Sequence, residues 1–176
     1  MSVLAVCSCK KEPQQPEPTD VSAWKGVIIN EIAAHDQTVD AETKVELLNT
    51  ASAPVALDGL GLYITDEYFK DQRIWKPSAG ATLAPGERLV ISTADESLVT
   101  GISSAAQFVL KLAVEDGTEV DAFDRSQAFN DPAPDYPRGS YQRIPDGSGE
   151  WRNMTYNSVV RENKVFNVED YRHTAI

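Results

Sequence analysis

The apolar positions of this chain come in short bursts rather than in long helical periods. Val27-Ile28-Ile29-Asn30-Glu31-Ile32 is a β-branched run. It is followed by Val45-Glu46-Leu47-Leu48, Val55-Ala56-Leu57, Leu60-Gly61-Leu62-Tyr63-Ile64, Arg73-Ile74-Trp75 and Arg88-Leu89-Val90-Ile91-Ser92. Phe108-Val109-Leu110-Lys111-Leu112, Glu119-Val120-Asp121-Ala122-Phe123 and Ser140-Tyr141-Gln142-Arg143-Ile144 complete the series. Each piece has strand length and is rich in side chains that suit a pleated, half-buried surface. Between them, Ser52-Ala53-Pro54, Leu57-Asp58-Gly59, Pro77-Ser78-Ala79-Gly80 and Ala84-Pro85-Gly86 supply a fixed or a positive φ. Asp116-Gly117, between Val114 and Val120, predicts a hairpin with a type I′ turn. Pro145-Asp146-Gly147-Ser148-Gly149 predicts a further turn. Asp95 to Ala106 is the one stretch read as a helical turn, weakened by Gly101. About eight short strands at this spacing predict an all-β sandwich or barrel.

Two regions stand apart from the strand pattern. Ala128 to Gly139 holds Phe129, Tyr136 and three prolines, and a loop of this length in a compact domain is often functional. At the other end both cysteines of the chain fall in Val6-Cys7-Ser8-Cys9. Met1 to Val6 reads as the end of a signal-peptide apolar region. Val6 to Cys9 resembles a bacterial lipobox, with an aliphatic residue three positions before the modified cysteine and a small one just before it. On that resemblance Cys9 is the lipidated residue. Lys10 to Ser22 has three prolines and no large apolar side chain beyond Val21, so it reads as an extended spacer of roughly 35–40 Å.

The strand blocks carry a second resemblance. Ile29-Asn30-Glu31-Ile32, Val45-Glu46-Leu47-Leu48-Asn49, Pro54 to Leu62, Trp75-Lys76-Pro77, Leu83 to Ile91 and Ser140 to Trp151 occur in the order seen in bacterial lamin tail domains. The resemblance covers about Val27 to Asn163. It implies an immunoglobulin-like β-sandwich of the lamin tail type that is not an enzyme. The chain departs from that family's usual hairpin at Leu112-Ala113-Val114-Glu115 and from its usual Pro-Gly exit at Asn157 to Asn163. The expected organisation is a residual signal and lipobox over 1–9, a Pro-rich linker over 10–24, the sandwich over 25–163 and a C-terminal extension over 164–176. Trp75 and Trp151 are expected between the sheets, and Arg143 is expected to cap carbonyls or pair with an acid.

Charge narrows the partners. The formal net charge is -11, and residues 21–163 hold 12 basic and 22 acidic residues, so nearly all the excess acid belongs to the sandwich. That argues for solubility and against a phosphate-driven nucleic-acid site.

The candidate chemistry is sparse. His35 and His173 are the only imidazoles, and the cysteines lie outside the domain, so no Ser-His-Asp or Cys-His site is expected. Asp66-Glu67 with Asp71, Glu115-Asp116 with Glu119 and Asp121, and Asp131 with Asp135 are carboxylate clusters, but none matches a spaced calcium loop. No metal and no cofactor are expected. Asn30-Glu31 and Glu46 sit inside strands and are expected as the polar half of an alternation, or, if buried, with partners.

Loop aromatics are the best lead, because aromatic side chains are enriched at recognition surfaces. Tyr68 and Phe69 lie in one loop, and Phe129 and Tyr136 in another. The expected role is a non-enzymatic cell-envelope lipoprotein, held by its lipid at the outer membrane or cell surface. Its sandwich then binds a protein or polysaccharide partner. The alternatives are a carbohydrate-binding module using the loop aromatics, and an accessory domain of a nuclease or hydrolase system.

Overall fold

Alternation fixes which way each strand faces. In Leu60-Gly61-Leu62-Tyr63-Ile64, Leu60, Leu62 and Ile64 are buried in the core while Tyr63 is partly exposed, the period-2 signature of a sheet with one wet face. The computed structural model describes residues 17–34, 42–103, 106–125, 139–154, 159 and 161–163. Its strands are β1 (Val27–Ala33), β2 (Lys44–Asn49), β3 (Val55–Ala56), β4 (Leu60–Thr65), β5 (Gln72–Trp75), β6 (Thr82–Leu83), β7 (Arg88–Ser92), β8 (Val109–Val114), β9 (Glu119–Asp124), β10 (Ser140–Ile144) and β11 (Glu150–Met154). A five-stranded sheet runs β11-β10-β1-β2-β7, a four-stranded sheet runs β5-β4-β8-β9, and β3 pairs with β6. All the pairings are antiparallel. The two larger sheets enclose one core of Val, Ile, Leu and aromatic side chains drawn from both, so the fold is an all-β sandwich.

All nine sequence-predicted strands are present. Two were missed. β6 is only two residues long, and β11 is an edge strand in which Trp151 is the one large apolar residue facing in. Asp95 to Ser103 is not helical, and among the described residues there is no α-helix. Ser97 and Asp95 instead supply side-chain bonds that fold this stretch into turns, Asp95 Oδ1 accepting from Ser97 N at 3.0 Å.

The β8–β9 hairpin is real, but its turn is not type I′. Gly117 is left-handed (φ 87), whereas Asp116 is not among the positive-φ residues, and the Asp116 side chain accepts from Thr118 N at 2.8 Å. Gly117 N donates to Val114 O and Val114 N to Thr118 O, a type I turn closed by one left-handed glycine. Val21 and Trp24, placed with the spacer by composition, pack against the core. Trp24 ends a 3-10 turn over Ser22–Trp24 and donates its indole N–H to Ala56 O at 3.0 Å.

Aromatic rings lock one end of the sandwich. Phe123 of β9 lies 4.8 Å from Tyr141 of β10, 5.4 Å from Phe108 and 4.6 Å from Trp151 of β11, all tilted or edge-on. Pairs of this kind add about 0.5–1.5 kcal/mol each beyond their burial.

Burial pushes the Tyr141 hydroxyl up to about 12, offset in part by the Arg125 guanidinium, which lies 5.5 Å from the ring centre. A raised phenol makes the unfolded chain release its proton first. Tyr141 is therefore neutral in both states below pH 10, and stability falls between about pH 10 and 12, by about 2–3 kcal/mol at most. Urea melts across this range are expected to show that loss in the wild type and a flatter alkaline limb in Tyr141→Phe. Equal slopes would remove Tyr141 as the cause.

Candidate functional site

The loop that carries the first pair of candidate aromatics is held by its own side chains. Asp66 Oδ1 accepts from the main-chain N–H of Tyr68 and of Phe69, both at 2.8 Å, and Asp66 N donates to Phe69 O at 2.9 Å. Asp71 then closes the loop in a left-handed conformation (φ 48), with Thr65 Oγ1 accepting from its N–H at 3.0 Å. This frame separates the two rings. Phe69 turns inward and packs against the core, while Tyr68 stands 74% exposed. A side-chain hydrogen bond to Glu67, and that carboxylate's charge, hold the Tyr68 hydroxyl above the ordinary phenol range. Beside the loop, Thr65, Asp66, Glu67, Gln107 and Phe108 line a depression of about 530 Å³. Cys9, Phe129 and Tyr136 lie outside the described residues, as do both histidines.

Asp131 and Asp135 lie outside the described residues, and the other two carboxylate clusters do not converge on a common point. Asp71 and Glu119 both face Lys111, at 3.5 and 3.0 Å, and they raise its pKa, Glu119 most. Asp116 takes hydrogen bonds from Thr19 and from Thr118, which hold its carboxyl down at about 2. Asp121 turns to the interior, where its carboxylate meets Arg143 at 2.7 Å and accepts from Ile29 N at 2.8 Å. Among the described residues no group of three His, Cys, Asp or Glu side chains is placed to hold a metal ion.

The polar residues inside the strands form a buried network. Ile29 pairs with Leu47 and Glu31 with Glu46, so Asn30 is the extra residue of a β-bulge. The bulge turns Glu31 and Glu46 to the same face, directly opposite one another across β1 and β2 and away from the apolar core. Both are fully buried, and the 145–149 turn and Asn163 bond to Asn30, the residue before Glu31. Like charges so placed repel and must be compensated. Glu31 accepts from Ser140 Oγ at 2.7 Å and from Gln142 Nε2 at 3.3 Å. Glu46 accepts from Asn30 Nδ2 at 2.8 Å and has Arg88 Nε at 3.3 Å. Arg88 also ion-pairs with Asp146, to which Asn30 Nδ2 donates a second bond at 3.0 Å. Gly147 N donates to Asn30 Oδ1 at 3.0 Å, and Asn163 Nδ2 donates to Asn30 O at 3.0 Å.

The sequence reading found Asn30, Glu31 and Glu46 and held two outcomes, the polar half of an alternation or burial with partners; the structure shows the second. Two consecutive polar residues between Ile29 and Ile32 were the available sign of a bulge. Arg88, Asp146 and Asn163 carried no local sign, since their partners lie far along the chain. These side chains bond to one another and hold the second layer onto the sheet. Arg143 plays both roles expected of it. Its Nε donates to Ile29 O at 2.9 Å, it pairs with Asp121, and it lies 4.6 Å over the Trp151 ring.

A further open feature lies between the free edges of the two sheets. β5 and β7 border a groove of about 650 Å³, floored by Trp75, Leu89 and Ile91 and rimmed by Arg73, Lys76, Asp95, Glu96 and Val99. Val99 is 72% exposed.

No family model matches this chain, and no curated protein matches it. Among solved structures, a chain of the archaellum periplasmic stator protein complex FlaF and FlaG from Sulfolobus acidocaldarius is similar at 14% identity with a TM-score of 0.35. The likeness covers 70% of this chain and 98% of that one. A likeness so distant leaves function to be argued from the side chains.

Proposed function

We propose that this chain is a non-enzymatic, lipid-anchored module of the bacterial cell envelope. In this reading its sandwich is immunoglobulin-like, of the lamin tail type, and binds or scaffolds a protein or polysaccharide partner. The observation that carries the reading is the division of labour among polar side chains. Asn30, Glu31, Glu46, Asn49, Arg143 and Asp146, which belong to the blocks that resemble lamin tails, are all engaged in holding strands and turns together. The chemistry left facing solvent on rigid supports is that of a recognition surface. Tyr68 is raised on a hydrogen-bonded loop, and an apolar groove lies between two sheet edges. The surplus of acid fits a partner other than nucleic acid. Cys9 supplies the anchor, and the proline-rich segment after it holds the sandwich away from the bilayer. The experiment is the fate of a Cys9→Ala chain in fractionated cells, which is expected to leave the membrane fraction and to lose its lipid label.

A further inference from the structure

An antiparallel edge strand points every second residue's main-chain groups out of the sheet. On β7 those residues can be identified. Asn49 N donates to Glu87 O and Thr93 N to Thr43 O, so the hydrogen-bonded pairs of β2 and β7 fall at the odd-numbered residues between them. Arg88, Val90 and Ser92 therefore turn their N–H and C=O outward. At Ser92 both groups are taken by the chain itself, the N–H by Ser97 Oγ at 2.8 Å and the C=O by Leu98 N at 2.9 Å. At Val90 and Arg88 the main-chain N–H and C=O meet no partner among the described residues. The usual devices that blunt an edge, a bulge, a proline or a covering loop, stop one step short of Val90.

The groove described above lies along this open stretch. Its far end is closed where Val99 N donates to Ile74 O at 3.0 Å, lacing the segment after β7 to β5. Asp95 and Glu96 stand on that closed rim.

We propose that the open edge of β7 docks an extended peptide, which adds to the five-stranded sheet as a sixth strand and places an apolar side chain in the groove and a basic residue beside Asp95 and Glu96. Main-chain donors and acceptors in strand register call for another extended main chain. Arg73 and Lys76 line the same groove, so the carboxylates favour a basic residue only at the closed rim, beside Asp95 and Glu96. A second copy of this chain fits poorly. Pairing β7 with itself sets the turn from Thr93 to Leu98 of one copy over the start of β7 in the other. The proposal rests on the binding-module reading and names its partner class.

The test uses the full ¹⁵N-labelled chain and the probe acetyl-Lys-Val-Thr-Val-Thr-Val-amide. Binding is expected with a dissociation constant of roughly 0.1–1 mM, given so short a ladder. The Val90 amide is expected to exchange at least ~5-fold more slowly at saturation. Two control probes carry N-methyl groups on alternate residues, in opposite phase. One phase is expected to abolish the effect and the other to spare it. Replacing the probe's Lys by Glu is expected to weaken binding at least ~5-fold. Val90→Pro removes the outward donor at a position where an edge strand tolerates proline, and is expected to abolish binding while the ring shifts of Tyr141 and Phe123 persist. Unchanged Val90 exchange, loss of binding with both methylation phases or with neither, or Val90 protection that grows with protein concentration alone would overturn the proposal. The last of these would assign the edge to a second copy. A chain that is membrane-anchored yet leaves Val90 unprotected by the probe overturns the edge and not the envelope reading.

Discussion

Replacing Arg88 by Met is expected to cost about 3–5 kcal/mol, the range seen when one partner of a buried ion pair is removed. Glu46 has no solvent exposure, and the Arg88 side chain is only 20% exposed. Arg88 lies between two carboxylates, Glu46 and Asp146, that also share Asn30 as a donor. Without the guanidinium, Asn30 still joins them, but a dipole does not neutralise two charges. For a folded body of this size the loss corresponds to a fall in melting temperature of order 10 °C. Glu46→Gln in the same background is expected to recover more than half of it, because the amide keeps the volume and removes the buried charge. Denaturant titration of the two variants decides the matter. An Arg88→Met chain within ~0.5 kcal/mol of the wild type, the size of an ordinary surface substitution, would show that the network does not hold the fold.

Asp121→Ala is expected to be the next most damaging change, at about 2–4 kcal/mol, because one carboxylate serves both sheets. Asp121 belongs to β9 of the four-stranded sheet. Its carboxylate receives the N–H of Ile29 in β1 and the guanidinium of Arg143 in β10, both in the five-stranded sheet. Arg143 in turn donates to Ile29 O, so the main-chain groups that β10 leaves unpaired at Ile29 are met by side chains. Removing Asp121 leaves a buried N–H without its acceptor and a half-buried cation without its counter-charge. A double-mutant cycle with Arg143→Met is expected to return a coupling of at least ~1 kcal/mol. Additive losses would mean that the two residues act independently and that no stitch joins the sheets here.

These residues also mark where the sequence stops being legible. The strands could be read because alternation and turn chemistry are local: Leu60, Leu62 and Ile64 declare a face by themselves, and Asp58-Gly59 and Pro145-Asp146-Gly147 announce their turns. Arg143 could be anticipated in kind, as a cap and an ion-pair partner, but not in its choice of Asp121 and Ile29. Glu46 falls opposite the core by period 2, between Val45 and Leu47, whereas Glu31 reaches the same face only because the bulge at Asn30 breaks the period set by Val27 and Ile29. What period 2 cannot register is a second polar layer. Asn163 reaches Asn30 across a sequence separation of 133 residues, and Gly147 reaches it across 117. Trp24 was hidden by the prolines before it, although its indole hydrogen bond and its packing with Val21 against the core bring the 3-10 turn into the folded body. For the candidate site, Tyr68 and Phe69 were visible as a pair, but only Asp66 decides which ring goes out. The β5–β7 groove was invisible, since it depends on which strands end as edges.

The tether proposed at Cys9 is tested most directly by metabolic labelling with palmitate combined with cell fractionation. The wild-type chain is expected to take up the label and to sediment with the membranes. The Cys9→Ala chain is expected to lose both properties while its sandwich melts as before. Label that persists in Cys9→Ala, or a wild-type chain found unlabelled in the soluble fraction, would contradict the account.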